Sequence, residues 1–145
     1  MTLDERCTRA LTWHGAAMNC AQSVLGAFSD VVGLSDQQIS GIAGGFGGGI
    51  KYGGLCGAVS AAVMVLGMKY PHTLENGLAG KERISALTRE FLRRFQERCG
   101  CLNCADLLTW AGVADGSPEK TAFCDTLIVS AVKLLDEMLK ELEKE

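Results

Sequence analysis

Residues Gly44–Gly54 read GGFGGGIKYGG, and seven of the eleven are glycine. No long helix or strand runs through such a stretch, because glycine loses the most conformational freedom on ordering and offers no side chain to pack. The chain must break here. Leu55–Met68 then follows at once, apolar on nearly every side and rich in alanine and glycine. A helix that is apolar all round belongs in the middle of a fold. Phe46, Ile50 and Tyr52 interrupt the glycines, which predicts an ordered loop of close backbone approach in place of a flexible linker. Neither phosphate-binding pattern is met: no Gly-Lys-Ser/Thr follows, no strand precedes, and G-x-G-x-x-G is absent. No nucleotide is expected.

The rest of the chain reads as helices. Val and Ile never fall into period-two runs, and no Asn-Gly or Asp-Gly hairpin separates such runs. Cys124, Leu127, Ile128, Ala131, Leu134, Leu135, Met138 and Leu142 recur at steps of three and four. That spacing makes one buried stripe on a long terminal helix, with Cys124 on it and Ser117-Pro118 as its start signal. Lys81–Arg98 is a second strong helix, with Ile84, Leu87, Phe91 and Phe95 on one face and Gly100 as its stop. Ser35 with Gln38 forms a capping box opening a short helix toward Ala43. Asn19–Phe28 and part of Leu3–Ala17 complete the set. The expectation is an all-α fold, one domain over residues 1–145. It is a compact bundle of five to six helices, with a glycine-rich loop before a buried central helix.

Charge narrows the function. The net charge of −3 argues against a nucleic-acid footprint, which needs a basic face. The basic residues of Lys81–Arg98 are interleaved with Glu82, Glu90 and Glu97, as on a solvated helix face. Leu55–Met68 has 14 residues, short of the roughly 20 a membrane span needs, so no membrane insertion is expected. MTLDERC has no basic segment leading into an apolar one, which predicts a cytoplasmic chain.

Seven cysteines are many for that compartment, where clustered thiols more often bind metal or do redox chemistry than form a framework. CGCLNC, Cys99–Cys104, contains a C-x-x-C. A small repeat carries more. Asn19-Cys20-Ala21 recurs as Asn103-Cys104-Ala105, each placing cysteine after an N-cap residue, and Cys56 follows Gly53-Gly54 at the entrance to the central helix. At a helix N-terminus the free N–H groups and the helix dipole favour an anion, which lowers a thiol pKa. Cys20, Cys56 and Cys104 are therefore candidates for chemistry. Cys7 and Cys99 read as core filler, and Cys101 is open.

With these residues the chain resembles the C-GCAxxG-C-C family of redox-active proteins. The likeness rests on N-C-A-Q at Asn19–Gln22, on the glycine loop leading into C-G-A at Cys56–Ala58, and on Cys104 and Cys124 in order. One position departs: the pattern has glycine where this chain has Ala61, a methyl more in a helix contact and no reacting group lost. The resemblance implies a small helical protein, common in anaerobic bacteria, with Cys20, Cys56, Cys104 and Cys124 as its four characteristic cysteines. Some relatives carry selenocysteine. A similar domain accompanies haem and an iron–sulfur cluster in split-Soret cytochromes; this chain has no C-x-x-C-H, so no covalently bound haem is expected.

Three functions follow as expectations. In the first, Cys20, Cys56, Cys104 and Cys124 hold an iron–sulfur cluster, [2Fe–2S], and the protein passes electrons to a redox partner protein. Four thiolates are what such a cluster takes, and the backbone of Gly53, Gly54 and Gly57 beside Cys56 would tune it. In the second, the protein is a metal-free thiol–disulfide redox protein using Cys104 with Cys101, Cys20 or Cys56, Cys101 being the resolving thiol. In the third, the cysteines form a structural zinc site, or are inert in a helical dimerisation module. The apolar helix Leu55–Met68 and the terminal helix leave room for a homodimer. His14, His72, Met64 and Met68 read as packed or solvated side chains, and Lys51 and Tyr52 as ordinary loop residues.

Overall fold

Three capping boxes start the helices of the first third of the chain. In the computed structural model, which describes Met1–Glu145, Thr2 and Glu5 open α1 (Leu3–Gly15). Asn19 and Gln22 open α2 (Cys20–Ala27), and Ser35 and Gln38 open α4 (Asp36–Ala43). In each box the N-cap side chain accepts from the third helical N–H and the acidic or amide side chain reaches back, satisfying two otherwise orphaned donors. Between α2 and α4, Phe28 departs from helical geometry (φ −116°, ψ 26°) and splits off a single turn, α3 (Ser29–Val32), which Gly33 ends with φ 69°.

The expected all-α class is correct, with eight α-helices where five to six were expected. The second half holds α5 (Gly57–Lys69), α6 (Gly77–Cys99), α7 (Cys104–Ala111) and α8 (Glu119–Glu143). No strand forms; Leu55 and Asn103 make one isolated antiparallel bridge. The surplus comes from α3, a single turn too short to carry a periodic apolar pattern, and from α7, whose start at Cys104 the sequence predicts but whose eight residues the expected count does not include as a separate helix. No helix is long and apolar enough to cross a membrane.

α5 is the central helix the composition predicts. Gly57, Ala58, Val59, Ala61, Ala62, Val65 and Leu66 are all buried on it. α2 and α6 pack on α5, α1 packs on α2, and α8 runs beside α1, α2, α5 and α6. Ala61, the departure from the family pattern, is fully buried without disturbing the helix. Phe91 and Phe95 of α6 are fully enclosed, as predicted from their spacing, and each contributes about 1.5–3 kcal/mol by leaving water.

A buried guanidinium ties this frame together. Arg6 of α1 donates from Nη1 to the Ala27 carbonyl (2.9 Å) and to Asp30 Oδ1 (2.7 Å), and from Nη2 to Asp30 Oδ2 (3.1 Å). Its Nε lies 3.6 Å from Asp136 of α8, and its carbon lies 4.4 Å above the Phe28 ring.

Two starts differ from expectation. Helix α5 begins at Gly57, not Leu55, so Cys56 is itself the N-cap residue; its N–H is drawn out of helical register to the Leu102 carbonyl at 2.9 Å. Helix α8 begins at Glu119 with Pro118 in the cap position, and the Ser117 hydroxyl, buried and unpartnered, caps nothing. Gly116, at φ 78°, turns the chain so that the Ser117 carbonyl, not its hydroxyl, accepts from Lys120 N–H.

Candidate functional site

The glycine stretch is ordered, as its interleaved side chains predict. It forms a π-type turn at Gly49–Gly53, in which Gly48, Gly49 and Gly53 have φ of 63°, 62° and 79°. Ile50 and Lys51 share the left-handed region (φ 54° and 64°), where non-glycine residues are strained by about 1–3 kcal/mol each. Gly49 folds onto the backbone of Gly54 so closely that no Cβ fits between them. From there the chain runs straight into a two-rung backbone ladder. Cys104 N–H donates to the Gly54 carbonyl at 2.7 Å, and Cys56 N–H to the Leu102 carbonyl at 2.9 Å. The starts of α5 and α7, and with them Cys56 and Cys104, are fixed side by side.

α2 brings the third cysteine. The Asn19 side chain that caps α2 also donates to the carbonyls of Ala43 and Gly44 (3.2 and 3.1 Å), and Gln22 donates to Ser40 (2.9 Å). The start of α2 is thereby sewn to the end of α4 and the glycine turn. Cys20 then lies against Gly57: a Cβ there would stand 2.6 Å from its sulfur. Cys124, near the start of α8, closes the group. All four predicted cysteines, Cys20, Cys56, Cys104 and Cys124, line one small pocket of about 30 Å³ with Gly48, Gly57, Leu107, Leu108, Lys120 and Leu127. Cys7, Cys99 and Cys101 do not. Of the three glycines expected beside Cys56, Gly57 lines this pocket and Gly53 lines the cleft above it, while Gly54 holds Cys104 through its carbonyl.

The pocket is the floor of an open cleft of about 800 Å³. Cys20, Cys104 and Cys124 are half-buried and line both; Cys56 is buried and lines only the pocket. His14, Lys51, Tyr52, Asp115 and Lys120 line the cleft. His14 Nδ1 sits 2.6 Å from Asp125 Oδ1, and Lys120 Nζ 2.6 Å from Asp115 Oδ1. Sequence reading passed over His14 and did not single out Lys120, Asp115 or Asp125. The only signal was that Lys120 stands four residues before Cys124, on the same face of its helix.

The thiols are not equally activated, contrary to the expectation that all three helix-start cysteines are. Cys20 is lowered from 9.0 to about 6. The thiol of Cys56 acts as hydrogen-bond donor to it, and the N–H groups of Gly48, Ala21 and Gly57 face the sulfur. Cys56, as that donor, is raised well above 9.0, burial adding to the effect; the Ala58 and Val59 N–H groups lie near its sulfur but too loosely to make a side-chain cap. Burial also raises Cys104, against the charge of Lys120, and raises Cys124 to about 11. For Cys104, loss of water outweighs the short α7 dipole, and Asn103 gives no side-chain cap. Burial likewise raises Cys7 and Cys99.

The donor set tests which metal groups fit. No three Cys, His, Asp or Glu side chains converge closely enough here to hold a single ion. Four thiols around a pocket that opens into a cleft are the donors an iron–sulfur cluster takes. The position of Gly57, where a side chain would displace the Cys20 sulfur, keeps that pocket clear.

Comparison with known proteins gives the chain its relatives. Residues 18–138 match the family model described as "Putative redox-active protein (C_GCAxxG_C_C)". No curated protein and no solved structure matches the chain. The matched span holds the glycine turn, the bridge between α5 and α7, and all four pocket cysteines, and the chain belongs to the C-GCAxxG-C-C family of redox-active proteins.

Proposed function

We propose that the four-thiol pocket is a redox centre that works by thiol–disulfide exchange, with Cys20 as the attacking thiol and Cys56 as its resolving partner. One arrangement carries this reading: the Cys56 thiol donates a hydrogen bond to the Cys20 sulfur from the pocket floor, which lowers the Cys20 pKa to about 6, while Cys20 also lines the open cleft. A thiolate with pKa near ambient pH is the best attacking thiol, being both populated and nucleophilic. Cys20 attacks a disulfide in the cleft and forms a mixed disulfide. Cys56, on deprotonation, then attacks the Cys20 sulfur and releases the second thiol. Two electrons leave the protein and one internal disulfide forms. Cys101 lines neither pocket nor cleft, so the resolving role falls to Cys56 in this reading.

A second reading is favoured by the meeting of all four thiols. Cys20, Cys56, Cys104 and Cys124 would hold an iron–sulfur cluster, which supplies one-electron transfer when bound. The chain's part is to neutralise and position: Gly48 and Gly57 N–H groups face the Cys20 sulfur, and Lys120 sets a positive charge near Cys104 and Cys124.

The test is metal and sulfide analysis of protein purified without oxygen, followed by redox titration with thiol counting and mass mapping of the disulfide. A two-electron couple in metal-free protein, mapped to Cys20–Cys56, is the expected result. Stoichiometric iron and sulfide with charge-transfer bands would replace it with the cluster reading.

A further inference from the structure

A protein that only passes electrons through contact with a partner needs no large hollow above its redox group. This one has a cleft of about 800 Å³, within the size range of small-molecule sites. Its floor carries three of the four thiols. One wall is the glycine turn, which presents Lys51 and Tyr52; the other is the α7–α8 connection, with Val113 and Asp115, and the first turn of α8, with Lys120.

The cations on these walls differ in kind. Lys51 makes no ion pair and is exposed. It is held by a left-handed backbone that a lysine adopts only under strain, next to Ile50 in the same state. Strain of this sort gathers at ligand clamps. The Lys51 stem passes over Gly48, with its Cδ 3.9 Å from where a Cβ of Gly48 would stand, and the Gly48 amide faces the Cys20 sulfur. Lys120 is bound to Asp115 at 2.6 Å, but Asp115 is 79% exposed. An ion pair that open to water holds its partner weakly, so an incoming carboxylate can take its place. Asp115 is the one carboxylate lining the cleft.

We propose that the cleft binds a small anionic disulfide, its acidic groups on Lys51 and Lys120 and its sulfur–sulfur bond above Cys20. The inference rests on the exchange reading. The atoms balance without further partners in the forward step. One sulfur of the ligand joins Cys20 and the other leaves as thiolate. Cys56 loses its proton, joins Cys20 and frees the second. Cys20 reacts already ionised, so the protein supplies one proton, from Cys56, to one of the two small thiolates; the other takes its proton from water. A carrier of a reduced dithiol restores the centre by the same exchange in reverse.

Single-turnover kinetics on reduced, metal-free full-length protein test this with three probes: oxidised glutathione (anionic), bis(2-hydroxyethyl) disulfide (neutral) and cystamine (cationic). The anionic probe should show a saturating rate, at least about tenfold above the cationic one at low salt, with the ratio falling as salt rises. The double variant Lys51→Gln/Lys120→Gln should lose most of that ratio. Lys81→Gln/Lys144→Gln, the same charge change on exposed surface away from the cleft, should keep it. Equal rates for all three probes, or a ratio indifferent to Lys51 and Lys120, overturns the inference and leaves the exchange reading standing. Failure of every probe to oxidise Cys20 and Cys56 overturns both.

Discussion

The sulfur of Cys20 occupies the space a side chain would take on Gly57, only 2.6 Å from that residue's Cβ direction. The same Cβ would meet the Phe46 carbonyl at 2.8 Å and the Ala21 amide at 3.2 Å, so backbone as well as sulfur would have to shift. Gly57→Ala should therefore cost about 1–3 kcal/mol, the usual range for overpacking a tight site. It should also slow alkylation of Cys20, whose thiolate the Gly57 amide helps to hold. A lowered urea midpoint together with slower labelling is the expected pair of results.

Alkylation of Cys20 in metal-free protein should follow a titration near pH 6, well below an ordinary thiol at 9.0. Cys56→Ala removes the main cause of the shift and should move that midpoint up, whereas Cys56→Ser, which keeps a hydroxyl donor, should move it less. The folded value for Cys20 lies below the unfolded one. Its ionisation thus adds stability that is full above pH 9 and is lost as the pH falls through 6. Cys56 has the opposite sign: its contribution is full below 9 and is lost as the pH rises above that. Together these two thiols place their joint stability maximum near pH 9, which denaturation at stepped pH would read out.

Arg6→Ala should be among the most damaging changes outside the site. The side chain is buried and serves the Ala27 carbonyl, Asp30 and Asp136 at once. Removing one member of a buried ion group costs about 3–5 kcal/mol, because its partners stay behind without their charge. Asp136 keeps Lys140 at 2.8 Å, which places the loss at the lower end. Chemical denaturation measures it.

Ile50→Gly should stabilise the protein. A β-branched residue with φ 54° carries about 1–3 kcal/mol of strain that glycine does not, and because Ile50 is 49% exposed, the burial it gives up offsets only part of that relief. The expected gain is about 1 kcal/mol, seen as a raised melting temperature. An unchanged or lowered value would mean that the left-handed backbone at Ile50 costs less than the side chain contributes.

Much of this molecule could be read before its coordinates. The Asn19 cap, the Ser35–Gln38 box, the Phe91 and Phe95 face and the stripe on α8 are local patterns, and each formed where the spacing placed it. The four cysteines of the family pattern were legible too, but only as a set. That they share a pocket depends on the Leu55–Asn103 bridge and on Asn19 reaching Ala43, contacts between residues distant in sequence. The uneven activation of the thiols was not legible. A helix start looks the same in sequence whether water reaches its cysteine or not, and at Cys104 desolvation outweighs the dipole. Nor could His14 be paired with Asp125 across the length of the chain, because neither sits in a motif.

The ladder that sets Cys56 beside Cys104 has a consequence for the chain as a thread. Its two rungs tie Gly54 to Cys104 and Cys56 to Leu102, so helices α5 and α6 form a loop closed at its base. The far end of that loop, Pro71–Asn76, is exposed and remote from the knot. A cut made there would leave both new ends anchored at the thiols and along the core. The protein could be nicked, or its ends relocated to that turn, with the redox pocket still assembled from the two pieces.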